Sequence, residues 1–384
     1  MKNNVVLISF SVIMLLLTNC NLASPAPVTT ADPGLVPPSQ KTESSSSSPL
    51  PPTEFSTSTP MQQPNHILSP DNANSIVEIV RWSGHTDRVT SIAFSPDDML
   101  LASASLDKTV KLWDVAAGQV LRTLSGHTGG VKKVVFSPDS KILVSVSGDN
   151  SIKLWDVASG QELRTLRANH PDDINSYGVL DIAFSADGRI MASLAETVSS
   201  STNNFFFYVD LWDVASGAQF RTWSDDWIYG LAFSPDGKML ALGIGKNVIL
   251  SDVSSGLEIR TFNGHTDFVH NIVFSQDGKT LISGSKDATV KIWEVASGQE
   301  IRSLDNSEGW GVLSMALSLN GKLLASAYDD GTVRLWDVAG GREIRALRGN
   351  GYTDPVWSVA FSPDANIFAS AWGDGSIRLW GVQP

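Results

Sequence analysis

The chain has 384 residues, a formal net charge of −12 and a single cysteine. This acidic balance excludes a nucleic-acid surface, which needs a basic footprint. With no Lys/Arg cluster to offset it, it also argues against peripheral binding to anionic lipid. One cysteine excludes an intramolecular disulfide, so stability has to come from packing.

In chain order, Met1–Asn4 carries one lysine and Val5–Leu17 is an apolar run of 13 residues. A run of that length is short for a bilayer span and normal for the core of a signal peptide. Leu17-Thr18-Asn19-Cys20 closes it. The pattern resembles the bacterial lipoprotein signal, although that family favours Gly, Ala or Ser where this chain has Asn19. The resemblance implies that residues 1–20 are a signal peptide and that Cys20 becomes the lipidated first residue. The mature protein is then lipid-anchored in the bacterial cell envelope, on the periplasmic or surface side. The alternative is conventional cleavage after Ala23 and a secreted product without lipid. Residues 21–75 hold 11 of the 18 prolines and the Ser44–Ser48 run. Such a Ser/Thr/Pro-rich segment cannot bury enough apolar surface to fold, and is expected to be a disordered linker.

From residue 76 to residue 384 one phrase returns about every 42 residues. It reads GHTDRVTSIAFSPDDMLLASASLDKTVKLWDVAAGQVLRTL at Gly84–Leu124 and GHTGGVKKVVFSPDSKILVSVSGDNSIKLWDVASGQELRTL at Gly126–Leu166. A period of that size means one supersecondary unit copied many times. The ruler is Leu/Ile-Trp-Asp/Glu, at Trp113, Trp155, Trp212, Trp293 and Trp336. Worn copies at Leu250-Ser251-Asp252 and Leu379-Trp380-Gly381 bring the count to seven. Each unit holds four short runs of alternating apolar residues separated by turn signals, which predicts an antiparallel meander. The Gly-His and Trp-Asp signature resembles the WD40 repeat family. That resemblance implies an all-β, seven-bladed propeller over residues 76–384. Ile76–Trp82 matches a fourth strand, and the last unit lacks one. Ile76–Trp82 is therefore expected to complete the last blade and close the ring, which removes exposed strand edges.

The resemblance assigns structural roles to three sets: His85–Ser103–Asp107–Trp113, His127–Ser145–Asp149–Trp155 and His265–Ser283–Asp287–Trp293. His, Ser and Asp together suggest nucleophilic catalysis, but a catalytic site has no need of three copies. A recurring hydrogen-bond ladder explains them better. His66 falls in the linker, which leaves His170 and His270 outside the sets. Neither a metal-binding spacing nor a phosphate-binding glycine loop is present. The Ser-Pro-Asp segments read as turns.

Departures from the repeat are where function can show. The third unit has a longer leading loop, Arg167–Gly178, and an insertion near Glu196–Phe206; Phe205–Phe207 read as third-strand core. The fourth lacks the His, the turn Asp and the Trp, the sixth lacks the His, and Tyr352 replaces it in the seventh. In the family's geometry the loops leading into each blade share one face, the top, with the loops between second and third strands. Candidate binding residues there are Arg88, Lys132, His170, Trp227, Tyr229, Phe268, His270, Tyr328, Trp357 and Trp372. Aromatics on a rigid rim are favoured interface anchors; the bland reading is that they plug the channel mouth or pack between blades.

The expectation is a non-enzymatic, monomeric interaction module without cofactor or metal, binding an unidentified protein or peptide. A carbohydrate-binding propeller is the alternative. Cleavage would need two acids roughly 5–9 Å apart, and Asp172, Asp173, Asp225 and Asp226 lie on adjacent loops.

Overall fold

The computed structural model describes residues 66–384, apart from 168–169, 171–174, 199–203, 226, 306–307, 350–353 and 384. The signal segment, Cys20 and the linker up to residue 65 lie outside the described residues. Those described form seven four-stranded antiparallel sheets. The inner strand of each packs against that of the next, and Val356–Phe361 packs against Val89–Phe94. The ring so closed is a seven-bladed β-propeller.

The first blade shows why the sequence folds this way. Its strands are Val89–Phe94, Leu100–Ser105, Thr109–Asp114 and Gln119–Ser125, counted from the axis outward. In the third strand Val110, Leu112 and Trp113 are buried, with Thr109 and Lys111 half-buried between them. Period-two alternation puts the apolar set on the blade-to-blade faces. Ser-x-Asp segments turn the first strand into the second: Ser234 donates to Asp236 at 2.6 Å, and Gly237 takes a left-handed φ of 69°. These acids are turn formers.

Seven apolar clusters sit one at each junction between blades. A polar clasp crosses five of these junctions on the outside. Arg122, Arg164, Arg221, Arg260 and Arg302 of the outer strands donate to carbonyls in the next blade's turn, at Ala158, Ala215, Ser254, Ser297 and Gly340.

The seventh blade is completed by Ile76–Trp82, paired with Ile377–Val382. Its third-to-fourth turn is therefore an opening between the two ends of the fold. Arg345 grips the incoming segment there through the carbonyls of Asn74 and Ile76. Ordered structure starts before residue 76, where the linker was expected to end. Leu68 and Ala73 are fully buried in the junction between blades 6 and 7, and Leu68 N–H donates to Ala365 at 2.7 Å. Two buried apolar side chains, together with these hydrogen bonds, dock a segment that composition alone reads as unstructured. At the next junction Val80 stands where the other blades have arginine. Trp82 stacks on Trp113 there, centroids 5.3 Å apart.

Candidate functional site

The structure joins each of the three His sets. His127 Nε2 meets Ser145 Oγ at 2.7 Å, Nδ1 meets Asp149 at 3.1 Å, and Trp155 Nε1 donates to Ser145 Oγ at 2.8 Å. His85 with Ser103, Asp107 and Trp113, and His265 with Ser283, Asp287 and Trp293, repeat the pattern. Asp149 is held well below the usual carboxylate range: burial opposes ionisation, but hydrogen bonds from Ser151 and Thr128 outweigh it. Every Ser oxygen is already engaged by a Trp and a His inside the blade, so none is presented to a substrate.

Three candidate binding residues belong to the interior instead. Tyr328 and Trp372 are 0 % and 1 % exposed. Each stands where blade 1 has Ser105 and reaches back to the serine that a His reaches elsewhere: Tyr328 OH lies 3.2 Å from Ser326 Oγ, and Trp372 Nε1 donates to Ser370 Oγ at 2.7 Å. Arg334 and Arg378 cover these rings, with guanidinium carbons 5.4 and 3.8 Å from the centroids. An aromatic ring and an arginine thus fill the space that a His fills in other blades. His170 is buried too, bonded to Asp210 at 3.0 Å and stacked on Tyr208 at 4.0 Å. Asp210 occupies the third-strand position of Lys111 in blade 1, so blade 3 supplies its own acid for a histidine from the leading loop.

The remaining candidates lie on the top face. Five rings from blades 3 to 5 form a continuous cluster: Phe207, Trp227, Tyr229, Phe268 and His270. Phe207 is buried and anchors it, while the other four are half-buried. Phe207 comes from an insertion that is a longer hairpin, since Ile190–Val198 pairs with Phe205–Asp213 throughout. Trp227 holds a left-handed φ of 67°, rare for a bulky residue and costly unless the surroundings enforce it. Half-buried Trp357 forms a second patch, with Arg88 over its ring at 5.8 Å. Trp310, in the loop leading into blade 6, is 47 % exposed and escaped the sequence reading because four other units carry Asp at its repeat position.

Lys132 and Glu196 complete the mouth of the central channel. Burial lowers the Lys132 pKa and raises that of Glu196, each opposed by the other's charge. Burial also raises the Tyr229 phenol, helped by Glu196 and Asp267, and holds His270 at about 4, neutral at pH 7. Below them the channel has a cavity of about 130 Å³, lined among others by His270, Lys133 and Asp181. Lys133 and Asp181 pair at 3.4 Å.

Of the four acids considered for hydrolysis, Asp172, Asp173 and Asp226 lie outside the described residues, as does Tyr352; Asp225 is exposed. Among the described residues there is no group of three His, Cys, Asp or Glu side chains fit to hold a metal ion, and no helix long and apolar enough to cross a membrane.

Comparison with known proteins separates the same regions. The family described as "WD domain, G-beta repeat" matches residues 77–114, 118–156, 256–294, 298–337 and 341–381, and passes over blade 3 and most of blade 4. A WD repeat-containing protein of Synechocystis is 44 % identical over 80 residues, 21 % of this chain and 23 % of that protein. The target of rapamycin complex subunit wat1 of Schizosaccharomyces pombe is 37 % identical over 102 residues, 26 % of this chain and 32 % of its own length. A U3 small nucleolar RNA-associated protein 15 homolog of Xenopus laevis is 33 % identical over 141 residues, 36 % of this chain and 26 % of that relative. The chain thus spans no more than about a third of any of these three.

Proposed function

The chain belongs to the WD40 repeat family, and from that premise we propose that it is a non-catalytic interaction module binding a protein or peptide on the top face of its propeller. One observation carries the reading. The blades that depart most from the repeat, 3 and 4, supply with blade 5 a rim of half-exposed rings, and one of them, Trp227, is held in a strained backbone conformation. Rings fixed in place bury large area at little entropic cost when a partner arrives. One relative agrees in class, since the fission yeast protein is a subunit of a complex.

We further propose that the propeller is tethered through Cys20 in a bacterial cell envelope. The chain enters the ring at Leu68, bonded to Ala365 in a first-to-second turn. Such turns lie at the opposite ends of the strands from Trp227 and Phe268. A tether arriving there leaves the aromatic rim clear and raises the local concentration of the domain near its membrane.

The test is affinity capture from solubilised envelope with the intact chain and a Trp227→Ala/Tyr229→Ala/Trp357→Ala variant of matching circular dichroism and thermal midpoint. A protein retained only by the intact chain, and rebinding when purified, supports the reading. Equal capture by both overturns it, and binding on a glycan array instead would point to carbohydrate.

A further inference from the structure

The strand that closes the ring is the one most easily lost. Ile76–Trp82 pairs only with Ile377–Val382, and a register shift between Glu78 and Val80 interrupts the ladder. Every other outer strand is joined by a turn to the strand it pairs with; this one is not. Val80 stands where blades 1 to 5 carry the arginine that clasps the next blade. Trp82 holds the far end by stacking on Trp113. The near end is exposed to any pull on the chain upstream. Ile76 pairs with Val382, so the two termini leave from the same end of the ladder. Drawing them apart would unzip it one pair at a time, and terminal elements open most readily.

A folded segment stands between that pull and Ile76. Leu68 is fully buried, and its N–H donates to Ala365 in the turn between the first and second strands of blade 7. Asn72 folds the segment on itself. Its side chain accepts from Ser69 N–H at 2.9 Å and donates to the Ile67 carbonyl at 2.8 Å, and its own carbonyl accepts from Ser75 N–H at 2.9 Å. The short helical turn Ala73–Ser75 lies against Arg342–Arg348 and Ile377–Val382, with Ala73 fully buried and Arg345 on the carbonyls of Asn74 and Ile76. The segment thus crosses the blade from an inner turn to its outer edge, roughly 10–15 Å at ordinary strand spacing. We propose that Ile67–Ser75 is a strap that locks the closing strand and takes up tension on the upstream chain. A pull applied before residue 66 meets the Leu68–Ala365 contact, on the inner side of the blade, and reaches Ile76 only once the strap has released. The strap acts whatever the upstream chain is attached to, so it rests neither on a lipid anchor nor on a partner at the rim.

The test is force spectroscopy on the full chain, held by one handle ahead of residue 66 and one at the C-terminus. Leu68→Ala should raise the rate of first opening at constant force roughly tenfold or more, and Asn72→Ala roughly several-fold. Ile67, 59 % exposed beside Leu68, is the internal control, and Ile67→Ala should leave the rate unchanged. Equal rates in Leu68→Ala and Ile67→Ala overturn the proposal. A second measurement uses the unaltered protein, so a result stands even if a variant folds poorly. Trimming of the folded chain by proteinase K, followed by mass spectrometry, should leave a stable N-terminus ahead of Leu68. A stable product that starts between Ser69 and Ile76 would show that the segment is not held, and overturns the proposal as well.

Discussion

Blades 1, 2 and 5 and blades 6 and 7 solve one packing problem in two ways. In both groups the third-strand tryptophan donates to a second-strand serine: Trp155 to Ser145, Trp336 to Ser326, Trp380 to Ser370. In the first group a histidine from the leading loop takes the serine's other side, and a turn aspartate holds the histidine. In the second, an aromatic of the second strand folds back onto the serine beneath an arginine. The serine and the space beside it are what the blade must satisfy. The first solution borrows a side chain from the loop, and so ties loop to blade. The second is contained within the sheet, and frees the leading loop from that duty.

That contrast predicts unequal losses, the largest in blade 7. Trp372→Ala removes a fully buried ring and leaves Arg378 without its stacking surface. It should lower stability by about 3–5 kcal/mol in chemical denaturation, the range for a buried aromatic cut to alanine. A loss below about 1 kcal/mol would mean that the arginine, and not the ring, fills the space.

His127→Ala should cost less, about 1–3 kcal/mol, because it strands the Ser145 and Asp149 partners more than it opens volume. In a double-mutant cycle with Asp149→Asn it should show strong non-additivity. His127→Ala combined with Trp372→Ala should be additive, since the two sites lie in blades 2 and 7. Coupling between them would break the claim that each blade is satisfied separately.

How far this was legible follows from the same residues. Seven units, four strands apiece and the closing strand were written in the period and in the phase of Ile76–Trp82. The His sets could be named because the family resemblance carries them over onto residues that recur in three units. Tyr328 and Trp372 were misplaced on the rim because an aromatic at the end of a strand looks exposed when only its spacing is known. A signal was available: they occur in the two blades where Arg334 and Arg378 replace lysine and no histidine leads the blade. His170 had a similar sign in Asp210, an acid where five of the other third strands have a base. In the channel-mouth group Lys132, Tyr229 and His270 were named among the top-face candidates, whereas Glu196 gave no such sign. Lys132 and Glu196 stand far apart in sequence, and only the curvature of the ring brings them together. Leu68 and Ala73 were invisible against the proline-rich background that surrounds them.

A smaller effect concerns the seam where the chain closes. Arg302 clasps a covalently continuous turn, whereas Arg345 clasps two carbonyls of a segment that begins there. Arg302→Ala should cost less than Arg345→Ala, for which about 1 kcal/mol is expected. Arg345→Ala should also speed hydrogen exchange in Ile76–Trp82 ahead of every other outer strand. Equal exchange in both variants would show that Leu68 and Ala73 hold the seam without the clasp.

The smallest effect is in pH, and it separates the two groups most cleanly. Burial lowers the His85 and His127 pKa values below the ordinary 6.5, and the facing aspartates offset this only in part. Each histidine is therefore more readily protonated in the unfolded chain than in the blade. Stability they contribute above pH 6.5 is lost as pH falls from that value toward the folded pKa. Blades 6 and 7 place arginine there, which does not titrate in this range. Asp149 titrates lower still, so its share is lost only below its ordinary value of 3.8. Glu196, Asp98 and Asp329 work in the other direction, since burial raises their pKa values and the fold gains from their protonation as pH drops. The whole-protein curve mixes these signs, so the informative quantity is a difference. His127→Ala should cost less stability at pH 5 than at pH 7.5, whereas the cost of Trp372→Ala should be the same at both. If the cost of Trp372→Ala also fell at pH 5, protonation elsewhere would be reaching blade 7, and the two solutions would not be electrostatically distinct.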